Sequence, residues 1–310
     1  MSTRLAILCP GQGGQHPAMF DLARTDPQAS ALLDNCLSVA RLGIPLQEIL
    51  ADNDLLFSNR MAQPLIVAAA MATWEAIRHD VPAPALVAGY SIGEVAAYGV
   101  AGALAAVDTV ALAVSRARLM DGCMKTMPEQ ALVAISGLSY RAAAPVLQQC
   151  GFHLAIATGE DTFIAGGSAR LLVELQRLIP GSGGHLTVLP VAVASHTPCM
   201  APAVAPFAEA LGRHRLADPA IPVLSGISAE QVFRADKAIS HLSRQIAEPI
   251  RWADCMDACA EAGVTVALEL GPGAALSRML HARHPQIECR AVAEFRSIGG
   301  VKTWLTRHFD

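Results

Sequence analysis

The stretch Ala85-Leu86-Val87-Ala88-Gly89-Tyr90-Ser91-Ile92-Gly93-Glu94 combines a short apolar strand, a serine between two glycines and the start of a helix. A strand, a sharp turn and a helix form the context in which a G-x-S-x-G motif exposes a nucleophilic serine. The glycines remove side chains that would clash at the turn, and the helix N-terminal amides face a developing oxyanion. An ordinary strand-to-helix turn is the alternative, but the flanking pattern favours a nucleophile at Ser91.

Apolar strands of similar length recur along the chain, separated by long helical stretches. This alternation predicts an α/β fold whose sheet is mostly parallel, with the serine turn at one end of it. Two helices are predicted at residues 64–78, starting with Pro64, and at residues 274–283, after a Gly-Pro-Gly turn. The predicted strands of this sheet are residues 5–9, 85–89, 222–225, 266–270 and 289–292.

In residues 131–194 short apolar strands and helical stretches alternate more rapidly, which predicts elements in the order β-α-β-β-α-β. That order is ferredoxin-like, and its length fits a four-stranded sheet backed by two helices with N-caps at Ser139 and Ser168. We therefore expect a large α/β domain of residues 1–127 and 196–310, with an inserted subdomain of residues 128–195. The predicted strands of the insert are residues 131–135, 153–157, 162–165 and 186–194.

The composition is that of a globular protein, with 53% hydrophobic and 16% charged residues. The formal net charge is −4 and the basic residues are scattered, so no nucleic-acid partner is expected. The longest apolar run, Val95–Val107, is shorter than the roughly 20 residues that cross a bilayer. The first apolar run ends at Pro10, too soon for a secretory signal. These features predict a cytoplasmic protein without a membrane partner.

The eight cysteines show none of the paired spacings that are typical of zinc sites. Cys255 and Cys259 would share one helical face, but they lack nearby histidine or cysteine partners. Reduced core thiols are therefore the preferred interpretation, and no metal site is expected.

The candidate base for Ser91 is a histidine, the side chain that most often accepts a proton from a serine at neutral pH. Ten histidines are present, and most neighbour charged residues or fall on predicted helices. His196 differs, because the segment Ala194–Pro198 follows an apolar strand where the chain leaves the predicted insert. A hinge between two domains is a natural edge for a cleft. Alone, His196 fits a turn residue; together with Ser91 it is the first choice for the base.

The glycine-rich loop Pro10-Gly11-Gln12-Gly13-Gly14-Gln15 follows the first strand, so a parallel sheet places it at the same strand ends as Ser91. A phosphate-binding turn is the alternative. The spacing matches neither G-x-G-x-x-G nor a P-loop, which argues against nucleotide binding. Gln12 is instead a candidate to brace the oxyanion site.

Six segments together resemble the malonyl-CoA:acyl carrier protein transacylase family, and the resemblance covers the whole chain. It implies an α/β-hydrolase-like large domain with a ferredoxin-like insert and a site between them. It also implies malonyl-CoA as a substrate, no bound cofactor, and an acyl carrier protein with a phosphopantetheine or coenzyme-A-like thiol as partner. The segments are Pro10–Gln15, Gly89–Glu94, Ser115–Met120, Ala194–Pro198, Gln245–Trp252 and Glu269–Gly273.

The resemblance assigns roles to individual residues. Ser91 would be the acylated nucleophile and His196 the base, while the amides of Gln12 and Ile92 would form the oxyanion hole. A backbone carbonyl near Gln245 would orient the histidine, which explains why no third acidic residue is evident.

The resemblance also places Arg116 in the pocket, where a planar guanidinium can grip the free carboxylate of a malonyl group. The residues alone do not choose between Arg116 and Arg118. Two positions apart on a helix, these side chains point roughly 200° from each other, so only one can face Ser91. A solvated surface arginine is the alternative for either.

Two departures from the family pattern concern the acceptor. Tyr90 stands where members of fatty acid synthesis usually carry histidine, and Ala157-Thr158 stands where many members have an asparagine-rich stretch. The Gly-Tyr-Ser-x-Gly-Glu segment and the opening Cys9–Gln15 are more similar to the epsilon subunit of malonate decarboxylase. We therefore favour that subunit over a transacylase of fatty acid or polyketide synthesis.

Two other classes of protein remain as alternatives. A serine esterase or thioesterase would share Ser91, but it should place an acid between serine and histidine and carry an HGGG-type loop, neither of which is evident. A catalytically silent scaffold that docks a carrier protein would need no pairing of Ser91 with His196.

Overall fold

The computed structural model describes residues 3–309, which form two β-sheets and fourteen α-helices. The strands are β1 Leu5–Cys9, β2 Leu86–Gly89, β3 Gln130–Ser136, β4 Phe152–Ala157, β5 Thr162–Ser168, β6 His185–Val188, β7 Val223–Leu224, β8 Gln231–Val232, β9 Ile250–Arg251, β10 Val266–Glu269 and β11 Glu288–Ala291. The helices are α1 Asp21–Arg24, α2 Pro27–Ala40, α3 Leu46–Ala51, α4 Asn53–Phe57, α5 Asn59–Ile77, α6 Ile92–Val100, α7 Ala106–Cys123, α8 Tyr140–Gln149, α9 Leu172–Gly181, α10 Ala201–Arg213, α11 Ala235–Gln245, α12 Trp252–Glu261, α13 Ala275–Arg283 and α14 Ile298–Phe309.

The main sheet has the strand order β11-β10-β1-β2-β7-β8. Its pairings are parallel except for the short antiparallel edge strand β8. All five strands predicted for this sheet are present, each within one residue of its predicted ends. Cys9 is paired with Gly89, so β1 and β2 end side by side and their following loops lie at the same edge.

Helix α5 lies at the centre of the main core, and nearly all of its side chains from Met61 onward are buried. It begins at Asn59, so the prediction of a helix starting at Pro64 was wrong. Pro64 lies in the second turn, where its missing N–H costs one intrahelical hydrogen bond. The apolar surroundings outweigh that loss, because the helix packs against α2, α6 and α7.

The second sheet contains the predicted β-α-β-β-α-β unit, with the antiparallel strand order β6-β3-β5-β4 and helices α8 and α9 on one face. It has five strands rather than the predicted four, because β9 pairs in parallel with β4. The strand predicted at residues 186–194 ends at Val188. Pro190 has no N–H to donate to a ladder, and the chain crosses here toward the main sheet.

The free face of the second sheet packs toward the main sheet through Leu132, Ala155 and Ile156, which share a buried cluster with Leu86 and Ala88 of β2. The carboxyl end of β2 therefore faces the gap between the two layers. Among residues 3–309, the helices are too short or too polar to meet the requirements of a membrane span.

Candidate active site

Ser91 occupies a strained turn between β2 and α6. Its backbone has φ 57° and ψ −117°, a region that costs a non-glycine residue of order 1–3 kcal/mol. Only glycine fits on either side: a Cβ on Gly89 would lie 2.3 Å from the Glu94 amide nitrogen, and a Cβ on Gly93 would lie 2.1 Å from the Cys9 carbonyl oxygen. The turn thereby holds the Ser91 side chain clear of the helix that follows.

The imidazole of His196 reaches this serine from the other side of the gap. Its Nε2 lies 2.7 Å from Ser91 Oγ, although 105 residues separate the two along the chain. His196 also has a positive φ of 62°, and its backbone N–H donates to the carbonyl of Ile246 at 2.8 Å. On the opposite side of the ring, Nδ1 lies 2.6 Å from the carbonyl oxygen of Gln245.

These contacts determine the protonation of His196. A carbonyl oxygen only accepts hydrogen bonds, so Nδ1 carries the ring proton and Nε2 presents a lone pair to Ser91. Burial lowers the pKa of His196 to about 3, and the positive charge of Arg116 acts in the same direction; the hydrogen bond that Nδ1 donates to the Gln245 carbonyl opposes both effects. The imidazole is therefore neutral at pH 7 and able to accept a proton.

Arg116 is the arginine of α7 that faces the nucleophile, while Arg118 is exposed on the same helix. The Arg116 side chain is buried, and its Nη2 lies 3.4 Å from Ser91 Oγ. Burial lowers the pKa of Arg116 to about 10, with a partial offset from Glu94, so the guanidinium remains charged at neutral pH. A buried cation beside a nucleophile is suited to bind an anionic group of a substrate.

Neutral amides hold the Arg116 guanidinium. Gln63 Oε1 accepts from Nη1 at 2.8 Å, and Gln245 Oε1 accepts from Nη2 at 3.1 Å. Within residues 3–309, Arg116 Nε is buried without a hydrogen-bond partner. The sequence analysis missed Gln63; the signal that could have found it is a lone glutamine inside the apolar run of α5.

The glycine-rich loop lies against the serine turn, as its position after β1 predicts. A Cβ on Gly11 would lie 2.8 Å from the Tyr90 carbonyl oxygen and 3.7 Å from Ser91 Cβ. The backbone amides of Gln12 and Ile92 have no acceptor within the described part of the chain, and Ile92 is the first residue of α6. Two N–H groups with these properties suit an oxyanion hole. The Gln12 side chain turns away and donates to Asn59 Oδ1 at 3.2 Å.

Tyr90 lies between two cavities beside the serine turn. One, of about 340 Å³, is bounded by residues 10–14, by Glu269 at the end of β10 and by the start of α13. The other, of about 330 Å³, lies against β3 and β5 of the second sheet and includes Thr158. The ring of Tyr90 meets Trp252 edge-on at 5.2 Å, and burial raises the pKa of its hydroxyl. Tyr90 thus lines both cavities, and Thr158 lines the second.

The cysteines take no part in this arrangement. Cys255 and Cys259 are buried on α12, and burial raises the pKa of the Cys259 thiol to about 12. Within residues 3–309, no three histidine, cysteine, aspartate or glutamate side chains are grouped so that they could hold a metal ion.

Comparisons with known proteins show the family of the chain. The acyl transferase domain family matches residues 7–302. The malonyl CoA-acyl carrier protein transacylase of Mycobacterium tuberculosis is 33% identical over 291 residues, which cover 93% of this chain and 96% of the relative.

Solved structures are similar over almost the whole chain. The malonyl CoA-acyl carrier protein transacylase of Coxiella burnetii has a TM-score of 0.91 at 24% identity and covers 100% of this chain and 99% of its own. A malonyl-transacylase solved in complex with its type II polyketide acyl-carrier protein has a TM-score of 0.88 at 25% identity, with 97% and 99% covered. These likenesses confirm the predicted α/β fold class.

The chain therefore belongs to the acyl transferase domain family, and it is an acyltransferase. The family resemblance inferred from the motifs is confirmed.

Proposed function

We propose that this acyltransferase moves a malonyl group from malonyl-CoA to the prosthetic thiol of an acyl carrier protein through a malonyl ester of Ser91. One observation carries the proposal: Ser91 Oγ lies 2.7 Å from a neutral imidazole nitrogen and 3.4 Å from a buried guanidinium. The first contact activates a hydroxyl, and the second selects an acyl group that bears a carboxylate.

The first half of the reaction loads the serine. His196 Nε2 accepts the Ser91 proton as Oγ attacks the thioester carbonyl, whose oxygen becomes negatively charged and is bound by the Gln12 and Ile92 amides. Each such donor stabilises the transition state by roughly 2.7–4 kcal/mol. The C–S bond then breaks, the imidazolium returns its proton to the departing sulfur, and coenzyme A leaves.

The second half reverses these steps with the carrier as acceptor. The carrier thiol gives its proton to His196, its sulfur attacks the malonyl ester, and Ser91 regains a proton as the new thioester forms. Each thioester is exchanged for another, so no oxidant, reductant or cofactor is consumed. Arg116 holds the malonyl carboxylate in both halves and so keeps the acyl carbon near Oγ.

The identity of the carrier is the finer part of the proposal. The sequence favoured the epsilon subunit of malonate decarboxylase. The relatives named above are transacylases, one of them bound to a polyketide carrier, and they fit the alternative of fatty acid or polyketide synthesis better. We therefore propose a phosphopantetheine-bearing carrier of those pathways as the first acceptor to test.

The test follows the acyl group by mass. The wild-type protein and Ser91→Ala are incubated with malonyl-CoA, and intact-mass spectrometry measures the malonyl adduct. Only the wild-type protein should carry it. A stable adduct on Ser91→Ala would remove Ser91 from the proposed role.

The acceptor is identified by adding carriers to the loaded protein. Holo-carriers of the fatty acid, polyketide and malonate decarboxylase types are compared with the matching apo-carriers, which lack the thiol. Loss of the adduct with gain of malonyl on one holo-carrier supports transfer. Equally fast loss with every carrier, apo forms included, would indicate hydrolysis, and carrier binding without any adduct would indicate a scaffold.

A further inference from the structure

The guanidinium of Arg116 donates hydrogen bonds to two side-chain amide oxygens. If either amide were rotated by 180°, its NH₂ group would face the guanidinium instead. A side-chain amide carries an acceptor oxygen and a donor NH₂ group, so its orientation decides whether it attracts or repels a cation. Both Gln63 and Gln245 present the oxygen. Other groups must therefore fix these amides in the productive orientation.

A side-chain acceptor on the same helix, Asn59, fixes the orientation of Gln63. Its Nε2 donates to Asn59 Oδ1 at 2.6 Å. The Asn59 amide is fixed in turn, because its Nδ2 donates to the Ala117 carbonyl at 3.2 Å and to Asp121 Oδ1 at 2.8 Å. A carbonyl and a carboxylate thus set this side of the network.

Glu94 fixes Gln245. Gln245 Nε2 donates to Glu94 Oε2 at 2.7 Å and to the Ser91 carbonyl at 3.0 Å. The same carboxylate oxygen accepts from the Gly226 amide at 3.0 Å. Glu94 is fully buried in the first turn of α6, and its other oxygen, Oε1, has no hydrogen-bond partner in residues 3–309.

This arrangement places one amide between the acid and the arginine. A carboxylate in direct contact with Arg116 would form an ion pair and would compete with any carboxylate of a substrate. Because Gln245 lies between them, Glu94 helps to orient the guanidinium and uses none of its N–H groups. Arg116 is then held in place and keeps its hydrogen-bonding capacity toward a ligand.

We infer that Glu94 is a positioning residue that determines acyl specificity: through Gln245, it turns an amide oxygen toward Arg116. This inference rests on the proposed function, because the specificity concerns the carboxylate of a malonyl group. Glu94 is not a catalytic residue in this scheme, since it contacts neither the Ser91 hydroxyl nor the place of the acyl group.

The test compares two donors in single-turnover loading of Ser91, with malonyl-CoA and acetyl-CoA measured separately by intact mass. Glu94→Met fills the space but removes the acceptor, so the Gln245 amide loses one of its two anchors. The malonyl-to-acetyl ratio of loading rates should fall about tenfold, the effect of one hydrogen bond to a charged group. Glu94→Gln should restore most of the ratio, because its amide oxygen faces the Gly226 amide and Gln245 Nε2.

A second variant keeps the test decisive if Glu94→Met does not fold. Gln245→Met retains the backbone carbonyl that binds His196 but removes the amide, so it should lower the ratio by a similar factor. In the Gln245→Met background, Glu94→Met should lower the ratio no further, because the two residues act in series. Asp257→Asn, which alters a carboxylate that pairs with Arg283 and lines neither cavity beside Tyr90, is the control and should leave the ratio unchanged.

Two results, both of which leave the ratio at its wild-type value, would overturn the inference: unchanged loading rates in a folded Glu94→Met or Gln245→Met protein, or an equal loss with both donors. The second result would make the role of Glu94 merely structural. Failure of the wild-type protein to form any malonyl ester would instead reject the proposed function, so the two failures are distinguishable.

Discussion

The Nδ1 atom of His196 lies 2.6 Å from the backbone carbonyl oxygen of Gln245, in the position where many serine enzymes place a carboxylate. A neutral carbonyl fixes the ring tautomer but supplies no negative charge to stabilise an imidazolium. Burial and the nearby Arg116 therefore keep the pKa of His196 low, at about 3. The same carbonyl orients the base whichever acyl group is bound, so specificity depends on other atoms.

The first prediction concerns stability against pH. The pKa of His196 is lowered from 6.5 to about 3. Between these values the unfolded chain binds a proton at His196 and the folded chain does not, so the free energy of unfolding decreases as the pH falls. Burial raises the pKa of Glu94 from 4.5 to about 7, so between these values the folded chain binds the extra proton, and stability rises on acidification. The two effects cancel between pH 6.5 and 4.5.

The variant His196→Asn removes the contribution of His196 and leaves that of Glu94. Its free energy of unfolding should rise relative to that of the wild-type protein by about 1.4 kcal/mol per pH unit as the pH falls from 6.5 to 4.5. Urea denaturation at several pH values in this window measures the difference. Parallel pH dependence of the two proteins would contradict the opposed shifts.

A second prediction separates the two arginines of α7. Arg116→Ala should lower malonyl loading of Ser91 by about 10²-fold or more, because the substrate carboxylate loses its partner, while acetyl loading is spared or raised. Arg118→Ala is the matched control on the exposed side of the helix and should change neither rate. Equal losses with both donors in Arg116→Ala would remove Arg116 from carboxylate binding.

A third prediction concerns the glycine-rich loop. In Gly11→Ala the new methyl group would lie 2.8 Å from the Tyr90 carbonyl oxygen, so the loop must shift and carry the Gln12 amide with it. Loading should fall about 10²-fold with malonyl-CoA and with acetyl-CoA alike, because an oxyanion donor serves both. A selective loss of malonyl loading would argue against the oxyanion role of Gln12.

A fourth prediction tests the packing of the serine turn. Gly93→Ala would put a Cβ 2.1 Å from the Cys9 carbonyl oxygen, a backbone atom that cannot swing aside, and should destabilise the protein by about 4 kcal/mol or more. Gly122→Ala is the control, since its Cβ would meet nothing within 4 Å; in α7 it should stabilise by about 0.5 kcal/mol. Thermal unfolding of both variants checks the contrast.

Much of the fold could be predicted because its strands are short apolar runs between helices. The Gly-x-Ser-x-Gly turn was also predictable from local sequence, because its glycines are required by contacts with backbone atoms near the turn. Failures occurred where the pattern gave no local signal. β8 and β9 have two residues each, and β9 joins the second sheet through a pairing with the distant β4 that periodicity does not encode.

The candidate site was less accessible to sequence reasoning than the fold. Ser91 and His196 stand in distinctive turns, and the structure brings them within hydrogen-bond distance. Gln63 and Glu94, by contrast, look like isolated polar residues in apolar helices. Only three-dimensional contacts reveal that Gln63 binds Arg116 directly and that Glu94 acts on it through Gln245. Only the helix packing shows that Arg116 rather than Arg118 faces inward.

The segment from the last residue of α11, Gln245, to the end of β9 links the site to the second sheet. Within seven residues, Gln245 holds both the imidazole and the guanidinium, and Ile250–Arg251 is stitched to the edge of the second sheet. A displacement of one layer relative to the other would therefore move the His196 imidazole and the Arg116 guanidinium together. An acyl group whose binding displaces the two layers would meet a misplaced base and a misplaced guanidinium together, whereas a change in the Gln245 side chain alone alters only the contact with Arg116.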